Sequence, residues 1–213
     1  MTIVCWDGVS LAADRQRTKR DAAGERRVIS LEATKILHLK GSKARFASEP
    51  IYALGRAGNV GVTKRLIEAV SHGKDLAKPS DALQKRLRDY VGSKESRGSL
   101  LLLSETHTFV VRFSTARGIH HRVFDRRTPV AIGQGSLTAT WMLVALRLPA
   151  ELAVYGMHLY TPAVGGGVLV AKGTKLRSVD WDQPFSFTTI SPQAIAAKAF
   201  RLNVFQHLEQ CLE

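Results

Sequence analysis

The stretch that decides the fold is Thr2-Ile3-Val4-Cys5-Trp6-Asp7-Gly8-Val9-Ser10-Leu11-Ala12-Ala13-Asp14. A β-prone run over residues 2–6 meets the turn dipeptide Asp7-Gly8 and a second run over 9–14, so the segment reads as a β-hairpin. Its register decides which side chains meet. A loop centred on Gly8 sets Thr2 opposite Asp14, with both side chains on one face of the sheet. That register needs a three-residue loop or a bulge. A tight two-residue loop at Asp7-Gly8 pairs Thr2 with Ala13 instead and turns Asp14 away. The first register is the expectation.

Beyond the hairpin comes a polar basic loop, and residues 35–39 and 51–55 read as short strands. Residues 61–71 read as a helix capped by Asn59, with Val62, Leu66, Ile67 and Val70 on one face. Ser80 caps a second helix whose buried stripe is Leu83, Leu87 and Val91. Strands follow at 99–104, 107–113, 119–124 and 130–132. Ser136 caps an almost wholly apolar helix through Leu146, which is expected to be buried. Residues 149–159 form another helix and 164–171 another strand. After a less regular stretch, 192–212 reads as a terminal amphipathic helix with Ile195, Ala199, Leu202, Phe205 and Leu208 facing inward.

No repeat, low-complexity tract or linker divides the chain, so residues 1–213 are expected to form one domain. The order is strands, two helices, strands, two helices, strands, helix. Two antiparallel sheets packed face to face, with helix pairs outside, bury all of these apolar faces. The expected fold class is therefore α+β, as a four-layer αββα sandwich.

Composition narrows the function classes. At 45% hydrophobic the chain is ordinary for a globular protein. No run of about 18 apolar residues offers a membrane span, and the first residues lack the basic-then-apolar layout of a signal peptide. Cys5 and Cys211 make no disulfide framework. The expected location is cytoplasmic. Thirty-one Lys and Arg against 18 Asp and Glu give +13, a surface suited to nucleic acid, acidic lipid or an acidic partner. The densest basic run, residues 15–27, holds no aromatic residue for base stacking, which counts against single-strand binding.

The candidate chemistry begins at Thr2. Removal of Met1, favoured by a small second residue, leaves a hydroxyl and a free α-amine on one residue. A threonine hydroxyl needs a base, and an α-amine titrating near 7.7–8 can serve as one. Lys35, a charge inside the apolar run Ala33-Thr34-Lys35-Ile36-Leu37, would favour the reactive forms of both groups by its positive charge. Asp14 would pair with Lys35 and hold it. Gly55-Arg56-Ala57-Gly58-Asn59 ends a strand and opens a helix, and its backbone N–H groups are candidates for stabilising an oxyanion. No cofactor or metal is indicated. Gly133-Gln134-Gly135 lacks the third glycine of a dinucleotide loop, and His120 and His121 point to opposite faces of their strand. Cys5 reads as a buried strand cysteine.

Thr2-Ile3-Val4, Asp7-Gly8, Leu11-Ala12-Ala13-Asp14, Thr34-Lys35-Ile36, Ala57-Gly58 and Ala131-Ile132-Gly133-Gln134-Gly135, in this order, resemble the proteasome β-subunit family. More narrowly they are similar to HslV and to bacterial and phage proteasome-like proteins. The resemblance covers roughly residues 2–170. It implies the N-terminal-nucleophile hydrolase fold and a threonine-type peptidase, with Thr2 as nucleophile and, through its amine, proton acceptor. Asp14 and Lys35 would tune it, and Gly58 would donate to the oxyanion. It further implies a homo-oligomer of stacked rings, a peptide or unfolded-protein substrate, and an ATP-dependent unfoldase or cap as partner. Two positions depart from the family pattern: Gln134 replaces a serine between glycines, and His158 replaces an aspartate. These departures motivate the alternative of an inactive ring serving as a scaffold, or as a module that binds nucleic acid or an acidic partner.

Overall fold

Short runs rich in Leu, Ile and Val form the strands, and the chain turns helical where the apolar period lengthens to three and four residues. The structure is a computed structural model that describes residues 3–20, 26–39, 43–92, 96–161, 164, 167–172, 186–191 and 193–194. In chain order the first elements are β1 (Ile3–Trp6), β2 (Ser10–Asp14), β3 (Arg17–Arg20), β4 (Arg26–Ser30), β5 (Ile36–His38), β6 (Arg45–Phe46), β7 (Glu49–Pro50), β8 (Ala53–Gly58), α1 (Val60–Ser71) and α2 (Asp81–Val91). Next come β9 (Arg97–Leu103), β10 (His107–Ser114), β11 (Gly118–Asp125), β12 (Val130–Gly133), α3 (Ser136–Val144), α4 (Ala150–Tyr160), β13 (Val168–Lys172) and β14 (Ser186–Ile190).

The class is α+β. Two five-stranded sheets run β12-β1-β2-β13-β14 and β11-β10-β9-β8-β5, and their ladders are antiparallel. Strand alternation divides the apolar side chains between the two faces of each sheet. Val4, Trp6 and Leu11 of the first sheet share one cluster with Ala53, Leu101 and Val110 of the second. Ile3, Cys5 and Ala12, on the other face of the first sheet, pack with Met142, Val154 and Met157 of α3 and α4. Leu54, Leu100 and Phe109 of the second sheet pack with Val62, Leu66 and Leu87 of α1 and α2.

Contact between the two sheets is close where they cross. A Cβ on Gly55 would collide with Val4 Cγ1, so only glycine lets β8 approach β1 this nearly. At one end of the inter-sheet space the Trp6 indole donates to the Arg126 carbonyl at 2.7 Å. The Arg126 guanidinium lies 5.0 Å from the Trp6 ring centre and 4.8 Å from that of Tyr52, a cation–π arrangement that closes this end.

Several expectations hold at the level of individual side chains. The Asn59 side chain accepts from the Val62 amide at 3.1 Å and caps α1. Ser80 accepts from Leu83 and caps α2, which buries Leu83, Leu87 and Val91. Others do not hold. In the hairpin, Val4 pairs with Ala13, Cys5 with Ala12 and Trp6 with Leu11, which sets Ile3 against Asp14. The expected register, with Thr2 opposite Asp14, is not adopted, and neither is the tight loop at Asp7-Gly8. The reason is Asp7, whose carboxylate accepts from the amides of Val9 and Ser10 and from the Ser10 hydroxyl. Asp7 thereby becomes the last paired residue, and the loop moves on to Gly8-Val9. Gly8 takes the positive φ of 96° that the first residue of such a tight loop requires.

The helix begun by Ser136 is not buried as expected. Leu137 is 87% exposed and Trp141 and Val144 lie on the same open side. Its N-cap is Gly135, with no side-chain capping bond. The basic stretch read as a loop contains the paired strands β3 and β4, and the less regular stretch contains β14. The terminal helix expected at 192–212 lies, apart from residues 193–194, outside the described residues.

Gly55→Val should destabilise the protein by about 1–3 kcal/mol through overpacking, measured as a fall in the urea midpoint. Adding Val4→Ala should restore part of that loss. A double variant no more stable than Gly55→Val would show that this contact does not set the sheet spacing.

Candidate active site

Asp14 ends β2 at a position 1% exposed, and Lys35 stands just before β5 at 5%. Buried charges survive only when paired and hydrogen-bonded. Here Lys35 Nζ donates to Asp14 Oδ2 at 2.7 Å, the spacing of a charge-assisted bond. It also donates to the Gln16 carbonyl. The second carboxylate oxygen, Asp14 Oδ1, accepts from the Ile3 amide at 2.8 Å. That amide nitrogen is the atom joined to the carbonyl carbon of Thr2. One carboxylate therefore holds both the entry to β1 and the lysine ammonium.

Burial pushes the Asp14 carboxyl above its ordinary range, opposed by the Lys35 charge and by the hydrogen bonds from Lys35 and Ile3. Burial likewise lowers Lys35, opposed by Asp14 and assisted by the positive charge of Arg56. Arg56 was not anticipated as part of this surround. Its amide donates to the Lys35 carbonyl at 2.9 Å and its guanidinium to the Thr34 carbonyl at 2.9 Å, so β8 fixes the backbone from which Lys35 extends. The only sequence sign of it was an arginine inside the run Leu54-Gly55-Arg56-Ala57.

Gly58 lies two residues further along β8. The Asn59 amide donates to the Arg97 carbonyl on β9. By strand alternation the Gly58 N–H turns the other way, to the same edge as the Arg56 N–H. Gly58 has φ 95°, and a Cβ there would collide with the Arg97 carbonyl oxygen, so the position requires glycine. Thr2, the fourth candidate, lies outside the described residues. The described residues bring Asp14 and Lys35 into contact and put Gly58 on the strand that buttresses them.

The two departures fall at this end of the molecule. β1 pairs with β12 so that Ile3 opposes Gly133, which leaves Gln134 just past the ladder where the chain enters β1. The Gln134 Oε1 atom is buried and has no hydrogen-bond partner among the described residues. His158, on α4, lines a small recess with Asp14, Val154 and Val168. Its Nδ1 is engaged with the Val164 carbonyl at 2.5 Å.

Other nucleophile candidates are structural. Cys5 is fully buried, and burial drives its thiol far up, assisted by the charges of Asp14 and Asp7. Ser104 and His107 sit beside Glu49, but the Ser104 hydroxyl bonds to Glu49 and to the His107 carbonyl rather than to the imidazole, so the histidine does not address it. His120 and His121 face opposite ways, as expected: His121 meets the Phe46 ring at 5.2 Å, while His120 lines a pocket on the other side.

No protein-family model matches the chain, and no curated protein matches it either.

Removing one partner of the ion pair strands the other charge, so Lys35→Met should cost about 3–5 kcal/mol at pH 7. Its pH dependence has a fixed sign. A folded carboxyl whose pKa lies above the unfolded value of about 3.9 binds the extra proton in the folded state, so stability falls as pH rises through that window. In Lys35→Met the opposing charge is gone and the Asp14 carboxyl moves up further. The variant's urea midpoint should therefore be higher near pH 5 than at pH 7. An equal or lower midpoint at the acid pH would mean that Asp14 is not the stranded charge.

Proposed function

We propose that the protein is a threonine-type peptidase whose nucleophile is the hydroxyl of Thr2, freed at the N-terminus by removal of Met1. The observation that carries this reading is the double engagement of Asp14, which ties the Ile3 amide to the Lys35 ammonium. Lys35 uses two of its three ammonium protons on described residues, and the proposal assigns the third to the Thr2 nucleophile. Supporting the fold half of the reading, helices, two antiparallel sheets and further helices pack in succession. That order supports reading the fold as the αββα sandwich of N-terminal-nucleophile hydrolases implied by the resemblance.

In this reaction the Thr2 hydroxyl oxygen attacks the scissile carbonyl carbon and its proton passes to the Thr2 α-amine. The buried positive charge of Lys35 favours the unprotonated amine and the developing alkoxide. The Gly58 N–H donates to the oxyanion of the tetrahedral intermediate. Collapse breaks the C–N bond, and the amine leaves with the proton. Water then hydrolyses the threonine ester and returns the enzyme. Peptides or unfolded proteins are the substrate class.

A homo-oligomer of stacked rings belongs to the same proposal. Its support is the apolar stripe Leu137, Trp141 and Val144, which α3 leaves exposed. An ATP-dependent unfoldase or cap follows from the resemblance alone, and a cytoplasmic location is proposed on the composition. No helix among the described residues is long and apolar enough to cross a membrane.

The competing reading, an inactive ring that acts as a scaffold, draws on Gln134 and His158. His158 spends its Nδ1 on a backbone carbonyl and brings no carboxylate to the recess beside Asp14.

Thr2→Ala should lower kcat on a fluorogenic peptide by roughly 10³-fold or more while leaving the thermal melt unchanged. Cleavage by Thr2→Ala at the wild-type rate would remove Thr2 from the mechanism. Separately, Leu137→Asp with Val144→Asp should convert the assembly to a smaller species in light scattering. Unchanged mass would exclude the α3 stripe as the interface.

A further inference from the structure

The space between the sheets changes character along its length. Near Trp6 it is apolar and closed. Toward the start of β1 it opens into a cavity of about 1110 Å³. The register shows how the change is built. Ala57, Ser99, Arg112 and His120 are successive cross-strand partners on β8, β9, β10 and β11. They continue the face that carries Leu101 and Val110 in the inter-sheet core. At this row the wall passes from apolar to basic.

Arg97 and Arg117 add two further guanidinium groups to the lining, and no Asp or Glu is among the described residues that line the cavity. Gly58, Gly133, Gln134 and Ser136 complete the wall on the side of the proposed catalytic groups. Ser136 is the first residue of α3, whose N-terminus carries no side-chain cap and no acidic residue in its first turn. Its partial positive charge therefore adds to the same field.

We infer that this cavity binds an acidic peptide segment, through Asp or Glu side chains that meet Arg112 and Arg117. The inference rests on the peptidase reading and names its substrate class: chains with carboxylates near the bond to be cut. Arginine recognises carboxylates through paired, directional bonds. The volume exceeds a typical small-molecule site and suits several residues of extended chain. Among the described lining residues the one carbocyclic aromatic is Phe113, which is buried, so they present no exposed Phe, Tyr or Trp ring for nucleobases to stack on. This sets peptide above nucleic acid.

The test uses the full chain carrying Thr2→Ala, so that binding is read without turnover. Fluorescence anisotropy compares a labelled peptide containing four Glu with its Gln-matched counterpart and with a single-stranded oligonucleotide of similar length. The acidic peptide should bind at least about tenfold tighter than the Gln peptide, and the difference should shrink with added salt. Arg112→Glu should abolish the preference. Arg117→Glu, at an exposed site, should weaken it about tenfold or more without threatening the fold. Equal binding of the two peptides, or a preference untouched by both substitutions, overturns the inference. Tighter binding of the oligonucleotide overturns it in favour of nucleic acid. Cleavage by the wild-type protein is assayed on the same two peptides. Selective binding without wild-type cleavage of either sustains the acidic-peptide site and removes the peptidase reading.

Discussion

A buried carboxylate with two different obligations organises this molecule. Asp14 must satisfy the amide through which the chain enters β1, and it must neutralise a lysine that arrives from the edge of the other sheet. An isolated charge at that depth would cost several kcal/mol, so neither residue can be placed without the other. The lysine in turn is held by its own backbone, because β8 accepts it into the ladder through Arg56. Hairpin, sheet edge and central strand are thereby fixed relative to one another at one point. That point is also where the proposed mechanism needs its nucleophile.

Around this point the two sheets perform different tasks. At the Trp6 end a glycine-permitted close approach and an arginine between two rings close the core. At the opposite end the same faces line a cavity, and in the row beyond Leu101 and Val110 the register holds Ser99 and Arg112. The first arrangement supplies stability. The second supplies a cavity beside the proposed catalytic groups whose field favours anions. The excess of 13 positive charges is thus not all diffuse surface, since part of it lines a concave wall.

Much of this was legible in the sequence. The capped helices α1 and α2, most strands and the pairing of Asp14 with Lys35 follow from local signals: an asparagine or serine before an apolar period, and a lysine in an otherwise apolar strand. The hairpin register was not legible, because Asp7-Gly8 is a strong turn dipeptide by propensity. A side chain that caps its own turn outweighed that propensity and moved the loop by one residue. The exposure of Leu137, Trp141 and Val144 was not legible either, since an apolar helix reads as buried whether its partner is the same chain or another. Arg56 and the arginines of the cavity were hidden for a third reason. Cross-strand neighbours are far apart in sequence, and only the register shows that Arg112 stands between Ser99 and His120.

The most direct measurement is the intact mass of the purified protein before and after incubation with a peptide epoxyketone, an electrophile that needs both a hydroxyl and a free amine on one residue. The account predicts loss of the Met1 mass and a single adduct mapped to Thr2, absent in Lys35→Met. Retention of Met1, or a free Thr2 that stays unmodified under these conditions, would contradict it.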